Sequence, residues 1–231
     1  MDATTPPQPP PPPEFEPQPT VRQGLPFEDP QRPFIDGFIE TLKLMITAPR
    51  DAYRMMEPEG DIVRPIIYAV LLGWIGVIAG QIYNIVFQGA MMSALASRMK
   101  GMNFPLTAGS SIVLMVIGPI IVLIVLFIWS ALVHLCLMLV GGATKSFTAT
   151  LKALAYAQTA SLAQLVPMCG GLIGAIWALV LQIFGVAAAH ETTEGKAAVA
   201  VLLPIVVCCL CGIVLSVVFG VGIASLIGSQ H

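Results

Sequence analysis

One histidine, His134, sits deep in a long apolar run, six residues before Val140 and about 9 Å inside its end. An ionisable side chain at that depth is a functional hypothesis by default. The span that follows, "GGATKSFTATLKALAYAQ" over residues 141–158, returns Lys152 and Tyr156 to comparable depth. A hydrogen bond between His134 and Tyr156, joined by Ser130 one turn away, is therefore expected. Lys152 and Gln158 complete this candidate intramembrane polar cluster, with Lys152 able to snorkel from one end. The plain alternative is a neutral histidine bonded structurally to a hydroxyl or carbonyl. His190, just before "ETTEGK", and Arg50, Arg54 and Arg64 form a candidate interface. The arginines would meet anionic headgroups, while a solvated loop position is the simpler account of His190.

Other strings carry less. "CCLC" places Cys208 and Cys211 at CxxC spacing inside an apolar run, where access and deprotonation are both missing. Met91, Met92, Met99 and Met102 have the softness Cu(I) prefers, but methionine also packs at interfaces through flexibility alone. "GGATKS" lacks the glycine that a phosphate-binding loop puts directly before its lysine. HExxH, GxSxG and CxxCH do not occur. The expectation is a protein without catalytic residues, metal ligands or a cofactor.

The elements that must position these residues follow from composition. The chain has 231 residues, 56% hydrophobic and 10% charged, with a mean hydropathy of +0.85. Soluble domains carry roughly 25% charged residues, so this surface belongs against lipid. The basic residues are few and form no stripe, which excludes nucleic acid as a partner. Five cysteines in or beside apolar segments do not read as a disulfide framework. The amino terminus has no apolar core of a signal peptide, so the first span is expected to direct insertion.

Residues 1–33, with Pro9 to Pro13 consecutive, read as a disordered proline-rich cytoplasmic arm. Residues 34–60 read as amphipathic membrane-interface helices. Phe34, Ile35, Phe38, Ile39, Leu42, Met45 and Ile46 recur at helical spacing, and Pro49 suits the first turn of a second helix. Residues 61–231 form the transmembrane domain, with spans expected at 65–88, 112–140, 147–167, 170–189 and 197–227. Gly118-Pro119 should kink the second span. Gly76 and Gly80, and Gly170 and Gly174, offer close-packing pairs that leave a homo-oligomer open.

The 147–167 segment is the ambiguous one, because Gln158, Thr159, Ser161 and Gln164 need shelter from lipid. If it crosses, basic residues divide nine to two between the sides; if it does not, eight to three. Both splits put the amino terminus in the cytoplasm. The fold class expected is all-α, a polytopic transmembrane helical bundle of five spans with an amino-terminal interfacial helix.

Three stretches in order, "TAPRDAYRMMEPEGDIVRP", "HLCLMLVGGATKSFTATLKALAYAQTASLAQLVP" and "IWALVLQIFGVAAAHETTEGKAAVAVLLP", resemble the Yip family, the Ypt/Rab-interacting polytopic membrane proteins, in its prokaryotic branch. The resemblance runs over about residues 34–220. His134, Gly141, Gly142, Phe147, Tyr156, Pro167, Trp177, Gly185, His190 and Pro204 are the matching positions. It implies a cytoplasmic amino terminus and five helices. Eukaryotic members carry a DLYGP-type motif before the first span, which this chain lacks, so Rab binding does not carry over.

The function expected is that of a non-enzymatic integral membrane protein that organises membranes or recruits a protein partner through its amino-terminal region. Its partner in every case is the lipid bilayer, in a bacterial inner membrane, with Golgi or ER membranes as the alternative location. The alternative function is a small-solute or ion transporter or channel with a polar path near His134.

Overall fold

The structure is a computed structural model that describes residues 24–96 and 108–228. The Pro9–Pro13 run and Met99 and Met102 lie outside the described residues, as do the side chains of Met91 and Met92. All regular structure among the described residues is helical: α1 (Phe34–Thr47), α2 (Pro49–Met55), α3 (Val63–Ala96), α4 (Ala108–Leu139), α5 (Phe147–Ala157), a 3-10 helix (Gln158–Leu165), α6 (Gly170–Ala189) and α7 (Glu194–Gly228).

Among the described residues, four helical stretches are long and apolar enough to cross a membrane: Val63–Phe87, Ser110–Leu139, Gly170–Ala189 and Glu194–Val214. They are apolar on all sides, and large side chains such as Val116, Ile120, Ile124 and Ile128 on α4 stay exposed. An exposed apolar surface of this extent is stable only against hydrocarbon.

α5 is of another kind. Its residues Ala149 to Ala157 are all buried. Four of those nine are alanines, which let α3, α4 and α6 close around the helix. The chain then tightens into a 3-10 helix of eight residues, longer than such helices usually run. The two glycine pairs explain the tightness. A Cβ at Gly76 would meet Ser161 Cβ at 3.0 Å, and one at Gly170 would meet the Ala163 carbonyl oxygen at 2.2 Å. Gly174 likewise faces the Ala160 oxygen, at 3.1 Å. Both pairs grip the 3-10 helix, from α3 on one side and α6 on the other.

At one end of the bundle two helices stop in the same way. Gly141, at φ +63°, ends α4, and the Gly142 N–H reaches back to the Leu137 oxygen at 2.9 Å. Glu191, at φ +51°, ends α6, and the Thr192 N–H reaches the Ala187 oxygen at 3.0 Å. These left-handed caps satisfy the last carbonyls of each helix and turn both chains sharply. The same end receives α1, α2 and the residues before them. Of the residues expected as the last part of the arm, 24–29 are packed, with Leu25 and Phe27 fully buried, while 30–33 are exposed. Phe27 meets Phe38 edge-on at 5.5 Å, and Phe38, Tyr68 and Tyr156 continue the aromatic row at 5.1 Å each. Burial of these apolar and aromatic side chains is what ties the segment down.

Candidate functional site

Two polar clusters lie at this end of the bundle. The first joins α4, α5 and the α6–α7 turn. Thr150, fully buried on α5, has its hydroxyl 2.8 Å from His134 Nδ1 and 2.7 Å from His190 Nε2. The Lys145 backbone N–H lies 3.1 Å from His190 Nδ1. A backbone N–H can only donate, so His190 Nδ1 accepts and carries no proton. The neutral ring then holds its proton on Nε2 and donates to Thr150. Thr150 gives its own proton to His134 Nδ1, which puts the His134 proton on Nε2. Thr144 adds a hydroxyl donation to the His190 carbonyl oxygen.

His190 is held neutral. Burial pushes its pKa down to about 4, nearby His134 and Lys145 push the same way, and Glu59 opposes them. The Thr150 hydroxyl resembles an activated nucleophile only in its partners. It has no exposed surface for a substrate to reach, and both of its bonds to rings serve to fix three chain segments relative to one another.

The second cluster is ionic. Lys152 Nζ, with no exposed side-chain surface, lies 3.0 Å from Glu28 Oε1 and donates to the Glu57 carbonyl oxygen at 2.5 Å. The Tyr156 hydroxyl donates to the same Glu28 oxygen at 3.1 Å. Glu28 Oε2 accepts from the backbone N–H groups of Leu25 and Glu57, both at 3.4 Å. The carboxylate is thus surrounded by donors, which a buried ion pair needs to offset its desolvation. Beneath it, the hydroxyls of Tyr68 and Thr159 meet at 2.7 Å, and Thr159 returns its proton to the Tyr156 carbonyl at 2.8 Å.

The expected cluster of five residues therefore separates. His134 bonds Thr150 and not Tyr156, because Tyr156 lies on the α5 face turned toward Glu28. Lys152 does not snorkel; its counter-ion comes from the amino-terminal segment. Ser130 is fully buried, and its hydroxyl has no hydrogen-bond partner. Gln158 accepts from Ser161 at 3.0 Å and borders a cavity on the far side of α5.

Of the interface candidates, His190 is fully buried and belongs to the first cluster. Arg64 donates to the carbonyl oxygens of Phe27 and Asp29 at 2.9 and 2.6 Å, so it holds the amino-terminal segment. Arg50 pairs with Glu194 at 3.1 Å and lies over the Phe184 ring. Arg54 is exposed beside Asp51, at 3.6 Å. Thr150 and Glu28 escaped the sequence reading. The signal for Glu28 was a carboxylate flanked by Leu25 and Phe27 in "LPFEDP"; Thr150 offered none.

A family model of the Yip1 domain matches residues 43–216, from within α1 to within α7. The chain belongs to the Yip1 domain family. No curated protein and no solved structure matches it. The Yip1 match contains four membrane-length apolar helices, which makes the chain an integral membrane protein. It takes in every side chain of both clusters except Glu28. The carboxylate that neutralises Lys152 of the Yip1 domain thus comes from just ahead of the matched residues.

Proposed function

We propose that this Yip1 protein is a non-enzymatic organiser of the membrane, acting through its amino-terminal region at the cytoplasmic interface. The observation that carries the reading is the division of α1 into three faces. Gly37, Thr41 and Met45 are buried against the bundle. Asp36, Glu40 and Lys43 form an exposed polar face. Between them Ile35, Ile39 and Ile46 are exposed at 67, 56 and 46% on a stripe of their own. A helix clamped by one face, polar on a second and apolar on a third fits a position half sunk in the interface.

The clamp makes the placement rigid. Glu28–Lys152, Arg64 with the Phe27 and Asp29 carbonyls, and Arg50–Glu194 join the amino-terminal region to three separate parts of the bundle. Lys43, Arg50, Arg54, Arg64, Lys145 and Lys196 gather at this end, which supports a cytoplasmic orientation in a bacterial inner membrane. α5 and the 3-10 helix, about 16 Å each, complete a sheltered fifth crossing. A protein partner would be recruited at the same face.

Reconstituted vesicles test this. The full chain should narrow or tubulate vesicles in electron cryomicroscopy at high protein density, and Ile35→Asp/Ile39→Asp should abolish the effect while the bundle stays folded. Vesicles of unchanged size and shape with both proteins would discard the reading.

A further inference from the structure

A cavity of about 350 Å³ opens between α4, the 3-10 helix and α6. Its floor is the Trp129 indole N–H donating to Gln182 Oε1 at 2.9 Å. Gln158, Ser161 and Gln164 form the wall, and no lining side chain is charged. Gln182 lies twelve residues into α6, about 18 Å from its start. The polar floor is therefore near the middle of a hydrocarbon layer of about 30 Å. Around the rim, Val125, Gly171 and Ala175 are exposed.

α7 would be the natural cover and does not provide it. Ala197, Ala200 and Val201 are buried in the bundle. From Val206 to Val217, past Pro204, every described side chain of α7 is exposed, and none lines the cavity. Amides at this depth facing an open cavity cannot be left to acyl chains, because unpaired polar groups are costly in hydrocarbon. Gln158 and Gln182 use their oxygens on Ser161 and Trp129, so what they offer an occupant is N–H donors.

We propose that this cavity binds one zwitterionic glycerophospholipid, its ester carbonyls and phosphodiester oxygens accepting from the glutamine amides while its acyl chains lie outside between α4 and α6. The volume suits a polar head region and not a whole lipid. With no lysine or arginine in the lining, nothing selects a net anion. Gln164 and Gly171 also border a second cavity of about 320 Å³ on the α3 side, which gives the headgroup room at the mouth.

The test is native mass spectrometry of the full chain in detergent, titrated with dioleoylphosphatidylcholine. One retained lipid is expected. Gly171 lines the cavity and a Cβ there meets nothing within 4 Å, so Gly171→Leu adds bulk at the cavity wall and should weaken binding at least tenfold. Gln164→Leu, which removes donors and adds no bulk, should also weaken it, and covers the case that Gly171→Leu fails to fold. Leu172→Trp, on an outward-facing neighbour 69% exposed, should leave binding unchanged. Wild-type affinity in whichever of the two cavity variants folds would mean a water-filled cavity or boundary lipid alone, and would overturn the proposal. Equal or better competition by dioleoylphosphatidylglycerol would overturn the ligand class.

Discussion

The indole N–H of Trp74 donates to the backbone carbonyl of Met115 at 2.8 Å. That carbonyl is the one Pro119 leaves without its helical partner, four residues on. A side chain on α3 thus repairs a break in α4, and Gly118 permits the approach: a Cβ there would meet Trp74 Cδ1 at 2.9 Å. Trp74→Phe should destabilise the bundle by about 1–3 kcal/mol, the range for an orphaned buried polar group. In a Pro119→Ala background, where residue 119 supplies its own N–H, the same substitution should be nearly neutral. Unfolding in detergent of the four proteins of this cycle gives the coupling; equal losses in both backgrounds would refute the repair.

The Glu28–Lys152 pair invites a second cycle. Lys152→Met alone leaves a carboxylate among buried groups, and Glu28→Leu alone leaves an ammonium. Each should lose about 3–5 kcal/mol. The double variant should recover most of that loss. Additive losses in the same unfolding assay would show that the pair is not coupled.

Acid should act through His190. Its folded pKa of about 4 lies below the ordinary 6.5, so the unfolded chain binds the proton first. Stability is complete above about pH 6.5 and falls as pH drops from there toward 4. His190→Gln keeps an acceptor for the Lys145 N–H and a donor for Thr150 without a titrating group. Its thermal midpoint should depend less on pH across that window than the wild type's. Parallel acid limbs would assign the loss to carboxylates.

Glycine pairs of this spacing often join separate membrane helices, and here they are occupied within the chain. Gly170→Ala puts a methyl 2.2 Å from the Ala163 oxygen and should cost about 1–3 kcal/mol through strain. Size-exclusion chromatography with light scattering should show an unchanged oligomeric state. A shift in mass would mean that the pair serves an interface between copies.

The four membrane-length helices were readable because each is an unbroken apolar run, and hydropathy needs no tertiary information. Their ends were less so: α3 continues to Ala96 and α4 begins at Ala108, since nothing in the local sequence stops a helix where its hydrophobicity fades. The 147–167 segment announced its need for shelter through Gln158 and Lys152. It could not announce the 3-10 tightening, which is imposed by Gly76 and Gly170 from other helices. The polar clusters were half legible. His134 and Lys152 stood out as ionisable residues in apolar surroundings. Which face of α5 meets which neighbour is fixed by how the helix is rotated, and spacing along one helix carries no record of that. Glu28 was masked by its setting, a short buried stretch joined to a run of prolines whose composition dominates the average.

The clasp between Glu28 and Lys152 also bears on how the protein enters the bilayer. An ammonium buried without its counter-charge costs several kcal/mol, and the Lys152 side chain has no exposed surface. The carboxylate that neutralises it lies far upstream and leaves the ribosome long before Lys152 does. α3 and α4, which wall the helix, are also synthesised first. The order of residues along the chain therefore supplies the counter-charge and most of the shelter before the segment that depends on them.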